Sequence, residues 1–244
     1  MRPGGFILNN ITSESQGVVI QDKPIIETPK RRIAFKQAFG QSGDNPFDEE
    51  AYDNTTMSLL MFATGSDAKT ASDNRDRIYD LFDSGVYMDF IPYFDEKKIY
   101  RVMATEYPSF ESKYYFGEGQ SFNVELTVRP YKYYVQSPLV TLTTAGTINN
   151  TTSKTSLPRI KIFGSGDVTL KVNGINFVVK NVVDYIILDS NLMFAYKETG
   201  GLVSSENSKT FTRMYPFLKQ GNNTISWTGT VSKVEIEPRW RTLA

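Results

Sequence analysis

The sequence predicts a mainly β protein of two domains, an open or split β-barrel with one helix followed by a β-sandwich. Three observations predict this fold class. Apolar and polar residues alternate without a fault from Ser121 to Arg129, which is the pattern of a half-buried strand. Only one segment has helical spacing. The second half consists of short apolar runs separated by turn residues at regular intervals, as in a sandwich.

The first half contains a series of predicted strands and one predicted helix. Between Ser66 and Phe82 the apolar residues recur at helical spacing, with Ser66 or Asp67 suited to cap the start and Gly85 after the end. This segment should therefore form an amphipathic helix that exposes Asp73 and Asp76. The predicted strands are Phe6 to Leu8, Val18 to Ile20, Ile25 to Thr28, Arg32 to Phe35, Met57 to Ala63, Val86 to Ile91 and Ile99 to Ala104.

A change in composition predicts the domain boundary. Three tyrosines lie between Tyr131 and Tyr134, and the Thr/Asn/Ser stretch from Thr141 to Ser156 has no apolar periodicity. We therefore assign residues 1–137 to the first domain and residues 138–244 to the second. We interpret the tyrosines as a cover for the seam between two cores; the alternative is a stacking platform for single-stranded nucleic acid.

Turn chemistry divides the second half into strands. Asn173-Gly174 is a strong signal for a two-residue hairpin turn. Gly164-Ser165-Gly166-Asp167 is also interpreted as a hairpin turn, because no Gly-Lys-Ser/Thr follows it and the next element is a strand, unlike a phosphate-binding loop. The predicted strands are Arg159 to Phe163, Val168 to Val172, Ile175 to Val179, Tyr185 to Leu188, Leu192 to Tyr196, Thr224 to Trp227 and Val231 to Ile236.

Composition excludes several kinds of chemistry. The 244 residues include no cysteine and no histidine, which excludes disulfides, thiol nucleophiles, Ser-His-Asp triads and histidine metal clusters. Basic and acidic residues balance at 27 each, which argues against attraction to nucleic acid or anionic lipid. The sequence therefore predicts no catalytic residue, cofactor, metal, sequence-specific nucleic-acid binding or membrane insertion.

Three clusters could carry chemistry. The carboxylates between Asp44 and Asp53 are interpreted as a solvated loop; the alternative is a glycan hydrolase, which needs two carboxylates about 5–9.5 Å apart. Lys30-Arg31-Arg32 is interpreted as a solvated strand edge; the alternative is a nucleic-acid contact. Trp227 and Trp240 are expected in the sandwich core. The alternative for these rings, with Tyr196, is a carbohydrate-binding module that recognises host-surface glycans.

The order of several motifs resembles a known family. The first half has Ser42-Gly43-Asp44, Asp48 to Asn54, Ile78 to Phe82, Ile99 to Ala104 and Phe122 to Tyr131. The second half has Pro158 to Gly164, Tyr185 to Asp189, Gly221 to Asn223 and Pro238 to Arg241. In this order, over nearly the whole chain, they resemble the distal tail proteins of long, non-contractile-tailed bacteriophages. The chain departs from relatives at Phe39-Gly40-Gln41-Ser42, where they often have Pro-Gly-Arg.

The resemblance implies a non-enzymatic structural hub at the tail tip or baseplate of the virion, made in the bacterial host cytoplasm. First domains would close a ring, typically a hexamer, around a channel for DNA. Second domains, galectin-like in shape but without the galectin sugar-binding pattern, would point outward. The implied partners are further copies of the chain, the tail tube protein, a tail-associated tip or lysin protein and a receptor-binding protein.

The ring interface is expected in the first domain, where short apolar strands leave edges free to pair with a neighbour. Ordinary barrel strands are the alternative interpretation of the same segments. The candidate interface residues are Phe6, Ile25, Ile26, Arg31, Arg32, Ile33 and Phe35.

Overall fold

The computed structural model describes residues 1–65, 68–106, 108–115, 119–212 and 214–244. The chain divides into two compact units. The first comprises Met1–Val135 together with Leu243–Ala244, and the second comprises Gln136–Thr242. The last two residues thus lie with the first unit, where the amide of Ala244 donates to the carbonyl of Pro130 at 3.0 Å. The predicted mainly β fold class, an open barrel with one helix followed by a galectin-like sandwich, is confirmed.

One large sheet and one helix build the first unit. The helix α1 spans Ala68–Phe82, which confirms the predicted helix; its expected caps, Ser66 and Asp67, lie outside the described residues. The strands are β1 Phe6–Leu8, β2 Ile11–Thr12, β3 Val18–Ile20, β4 Arg31–Lys36, β5 Asn45–Tyr52, β6 Thr55–Thr64, β7 Met88–Pro92, β8 Lys98–Ala104, β9 Ser109–Tyr115, β10 Gly119–Val128 and β11 Tyr131–Tyr134.

The large sheet curls into a half-barrel around the first core. Its strand order is β2-β1-β7-β8-β10-β6-β3, with β9 paired to β10 and β11 paired to β8. The perfect alternation of β10 is explained by its burial pattern, since Phe122, Val124 and Leu126 point into the core and Asn123 and Glu125 point outward. The helix closes the core with Ile78 and Phe82, both almost fully buried.

Two expectations for the first half are wrong. The acidic segment is not a loop but strand β5, which pairs with β4 in a separate two-stranded sheet. Cross-strand pairing satisfies the backbone there although the side chains are polar. Conversely, the segment from Ile25 to Thr28 is not a strand. Instead it runs irregularly beside β6, where the hydroxyl of Thr55 donates to the carbonyl of Glu27 at 3.0 Å.

Two layers form the second unit around one core, and they share two long strands. One layer has the order β12-β19-β14-β16-β17-β18; in the other, β13 pairs with β19 and β15 with β14. The strands are β12 Val140–Leu142, β13 Gly146–Asn150, β14 Arg159–Val172, β15 Ile175–Val182, β16 Tyr185–Asp189, β17 Phe194–Thr199, β18 Leu202–Ser205 and β19 Gly221–Glu237, and the chain's last strand is β20 Arg241–Leu243.

The long strands correct two expectations. Gly164 to Asp167 do not turn the chain back; β14 continues through them with irregular register and passes from the β16 layer to the β15 layer. The predicted strands Thr224 to Trp227 and Val231 to Ile236 likewise merge into β19. The Thr/Asn/Ser stretch from Thr141 to Ser156, which has no apolar periodicity, contributes most of β12 and all of β13. Sandwich edges are short and polar, so periodicity alone does not reveal them.

The Asn173-Gly174 turn is confirmed. Both residues have positive φ, 50° and 85°, as a type I′ turn requires. The side chain of Asn173 also donates to Asn223 Oδ1 at 2.7 Å, so the turn is tied to the neighbouring strand.

Candidate subunit interface

The β4–β5 hairpin is an arm with apolar side chains on both faces. Opposite residues of an antiparallel pair share a face, so Ile33 and Phe35 lie on one face and Phe47 on the other. These side chains are 44%, 65% and 59% exposed, respectively. Phe39, in the connection between the strands, is fully exposed. Within the described ranges, the two strands pair only with each other, so the outer edges of the arm carry no further strand.

Ion pairs and rings hold the base of the arm. Arg31 donates twice to the carboxylate of Asp48, through Nε to Oδ1 at 2.9 Å and through Nη2 to Oδ2. Arg32 Nε donates to Asp53 Oδ1 at 2.6 Å. The ring of Tyr52 meets Tyr131 of β11 edge to face, with centroids 5.9 Å apart. The base is therefore anchored to the first unit while the rest of the arm extends from it.

The ion pairs shift the pKa values of Asp48, Arg31 and Arg32. Hydrogen bonds from Arg31, and then from the amide of Glu50, lower the pKa of Asp48 below its ordinary value. The hydrogen bond to Asp48 raises the pKa of Arg31, and that to Asp53 raises the pKa of Arg32. Near neutral pH Asp48, Arg31 and Arg32 are therefore charged, which favours a fixed register at the base of the arm.

The structure separates the candidate interface residues into two sets. Phe6 is 1% exposed and Ile26 packs against the same core. A core side chain has almost no surface to offer another subunit, so Phe6 is left out of the interface that we propose below. Ile25, by contrast, is 88% exposed, and Arg31, Arg32, Ile33 and Phe35 all lie on the exposed arm.

Sequence reasoning missed Phe47 and Phe39. Both stand isolated among polar residues, where no periodicity identifies a strand. A signal did exist, because a large aromatic side chain in a polar, Gly-rich segment has no local core to enter and needs a partner elsewhere.

The residues of the two alternative sites, the glycan hydrolase and the carbohydrate-binding module, are occupied by other contacts in the structure. The carboxylates of Asp48 and Asp53 are bound by arginines, and no group of three acidic residues in the described ranges is placed to hold a metal ion. Trp227 and Trp240 are partly buried and pack against the second core. Tyr196 is 7% exposed, stacks on Phe194 and accepts a hydrogen bond from Arg159 Nε at 3.0 Å.

None of the described helices is long and apolar enough to cross a bilayer.

Structural comparison finds phage hub proteins. The Dit protein of phage SPP1, described as a paradigm of the hub adsorption apparatus of phages that infect Gram-positive hosts, aligns over 96% of this chain and 98% of its own with a TM-score of 0.66 and 12% identity. This chain has the fold of phage distal tail proteins. The resemblance seen in the motif order is thus confirmed at the level of fold.

Two further structures show a similar fold. A chain of the phage p2 baseplate in its activated conformation with strontium aligns over 95% of this chain and 96% of its own, with a TM-score of 0.55 and 9% identity. The corresponding baseplate with calcium gives 97% coverage of both chains, a TM-score of 0.52 and 9% identity. No family model matches the sequence, and no curated protein matches it.

Proposed function

We propose that this protein is a structural hub of a long non-contractile phage tail, in which the first units of several copies close a ring through the β4–β5 arm. The observation that carries the proposal is the exposed apolar surface of the arm, within a chain that has the distal tail protein fold over nearly its whole length. An isolated two-stranded hairpin is marginally stable in water. A neighbouring copy would cover the arm and stabilise it.

The contact is of the head-to-tail type. A ring needs the same heterologous interface repeated around an axis, and an arm that extends from its own subunit suits such an interface, because it reaches a different surface on the next copy. Ile33 and Phe35 supply the apolar contact, and Arg31 and Arg32 keep the strands in register. Ile25, exposed beside β6, is a second contact point.

The role of the ring follows from the same proposal. The ring, a hexamer, joins the tail tube protein to a tail-associated tip protein and leaves a channel for DNA. The balanced charge suits such a channel, since a strong basic excess would retain DNA. The second unit carries a receptor-binding protein. The protein has no enzymatic activity in this proposal and resides in the virion after synthesis in the host.

The test compares two matched substitutions in the full-length protein by light scattering and negative-stain microscopy. Phe35→Asp on the arm is compared with Phe211→Asp on the second unit, because the two rings are 65% and 61% exposed. Wild type and Phe211→Asp should form the same closed particle. Phe35→Asp should dissociate at least about 30-fold more readily, since a central interface aromatic contributes about 2 kcal/mol or more.

Two results would contradict the proposal. One is a wild-type protein that stays monomeric even when mixed with its tail tube and tip partners. The other is a ring that Phe35→Asp leaves as stable as Phe211→Asp does. The carbohydrate-binding alternative has no support in the described rings, because Tyr196 is almost fully buried and both tryptophans pack on the core.

A further inference from the structure

Strand β18 ends one layer of the second unit and is open to solvent. In the described part of the chain, only β17 pairs with it. All four of its residues are exposed, Leu202 at 78% and Val203 at 60%. Neighbouring residues of a strand point to opposite faces, so both faces of β18 are solvated. The strand therefore overhangs its layer and does not cover the core.

The backbone groups of Val203 and Ser205 point away from β17. The amide of Glu206 donates to the carbonyl of Ala195 at 2.8 Å, and Tyr196 lies opposite Ser205. In an antiparallel pair this makes Ser205 and Val203 the positions that do not bond to β17, whereas Ser204 does. Two N–H groups and two C=O groups thus face outward, without a partner in the ranges that the structure describes.

Two other edges of the fold are covered. At β15, the amide of Phe211 donates to the carbonyl of Val178, and Thr212 Oγ1 accepts from the amide of Val178. At β3, the amide of Ile20 donates to the carbonyl of Gly4. Proteins also protect open edges with charges, prolines or bulges. The sequence of β18, Leu-Val-Ser-Ser, has neither charge nor proline, and its register is regular.

We propose that β18 is a docking edge for β18 of a second copy of this chain, paired antiparallel about a twofold axis at Ser204. In this register Val203 of each copy exchanges both backbone hydrogen bonds with Ser205 of the other. All four outward donors and all four outward acceptors of the two strands are then satisfied. Ser204 faces Ser204 across the axis.

Charge and polarity also favour the second copy as the occupant. Val203 lies opposite the small side chain of Ser205, so no bulky groups collide. Leu202 lies opposite Glu206, whose carboxylate is already paired with Lys209 Nζ at 2.5 Å. Like charges directly opposite each other are destabilising in a sheet, and this register contains none.

The β18–β18 contact is weak by itself and is populated most where other contacts already hold two copies together. A pair of four-residue strands buries far less than the ~800 Å² per partner of a standard interface. Where copies are already held close together, the effective local concentration raises the occupancy of such a contact. The inference goes beyond the proposed ring and does not depend on it, because the β4–β5 arm is not involved.

Disulfide trapping tests the register directly. The chain has no cysteine, so the variant Ser204→Cys can form a disulfide only between the thiols at position 204 of two copies. At a non-hydrogen-bonded position the two Cα atoms lie about 4.5 Å apart, within the range that a disulfide accepts. In the control Ser205→Cys, the two Cα atoms lie about 8 Å apart across the axis, beyond disulfide reach.

Purified full-length variants are oxidised mildly and separated on non-reducing denaturing gels, so that only covalent dimers are counted. Ser204→Cys should give roughly tenfold more covalent dimer than Ser205→Cys at the same concentration. Adding Val203→Pro should abolish the difference, because proline removes an outward donor and spares the bonds to β17. Adding Val203→Thr, which keeps that donor, should preserve the difference in dimer yield.

Three results would overturn the inference. Equal dimer from Ser204→Cys and Ser205→Cys would mean diffusional crosslinking without register. Absence of dimer from Ser204→Cys, in a protein whose circular dichroism matches wild type, would mean that this edge does not pair with its own copy and is left to a strand of another protein. Unchanged trapping in the Val203→Pro variant would exclude pairing through the backbone.

Discussion

The substitution Gly229→Ala should lower the melting temperature of the second unit strongly. Two separable effects cause the loss, a clash of the new Cβ with the backbone and a positive φ. A Cβ at Gly229 would lie 2.3 Å from the carbonyl oxygen of Asp167 and 3.2 Å from Cα of Val168, and its φ is +101°. Both neighbours are backbone atoms of β14, which cannot move aside as a flexible side chain would. This close approach is where the two shared strands pass from one layer to the other.

Two other glycines show each of these effects without the other. Gly221 has φ +83° and open space around its Cβ position, whereas Gly164 has a Cβ position 2.3 Å from the carbonyl oxygen of Thr230 and no positive φ. A left-handed backbone costs a non-glycine residue about 1–2 kcal/mol, and overpacking costs about 1–3 kcal/mol. We expect losses of ~1 kcal/mol for Gly221→Ala, ~2 kcal/mol for Gly164→Ala and ~3 kcal/mol for Gly229→Ala.

Tryptophan fluorescence measures this unit selectively, because Trp227 and Trp240 both lie in it and the protein has no other tryptophan. At roughly 4–8 °C per kcal/mol for a domain of about this size, Gly229→Ala should lower the Tm by about 12–24 °C and Gly221→Ala by about 4–8 °C. If Gly164→Ala and Gly229→Ala melt no lower than Gly221→Ala, the strands do not approach each other as closely as described.

Two further predictions concern the first unit. Because the pKa of Asp48 is lower in the folded arm, the stability that its ion pair contributes is present above the ordinary carboxylate pKa near 4 and is lost as the pH falls through the lower folded value. The protection factors of the amides of residues 31–52, which correct for the pH dependence of intrinsic exchange, should therefore fall in acid, and Asp48→Asn should show that loss of protection already at pH 7. A variant whose protection factors do not change at either pH would contradict the pairing. Phe82→Ala should cost about 3–5 kcal/mol in urea unfolding followed by circular dichroism, because it empties the contact of α1 with the core; a loss below about 1 kcal/mol would mean that the helix is not docked there.

Most of the regular elements could be predicted because one-sided burial imposes a periodicity on their sequences. Strand β10 shows this best, since one face lies on the core and the other does not. The same reasoning failed for Gly164 to Asp167, because glycines that permit close backbone approach look in sequence like glycines that permit a turn. Phe6 lies in a three-residue strand, which is too short for its sequence to show which of its faces is covered.

Of the two strands of the arm, the sequence predicted β4 but not β5, for a related reason. Ile33 and Phe35 follow a period of two, but their partner strand carries the carboxylates around Asp48, which argue for a solvated loop. A strand with no core beneath it has no reason to show apolar alternation. Such strands are identified by the cross-strand ion pairs of Arg31 and Arg32, and those depend on register, which sequence spacing does not give.

The return of Leu243 and Ala244 to the first unit has a consequence for how the protein folds during synthesis. Domains usually fold in the order in which they leave the ribosome. Here the second unit is continuous from Gln136 to Thr242, whereas the first unit is completed only when residues 243 and 244 have emerged. A nascent chain can thus finish its second unit while the first still lacks its final hydrogen bond to Pro130. Completion of the unit proposed to form the ring therefore follows completion of the second unit, which would delay premature assembly of nascent chains.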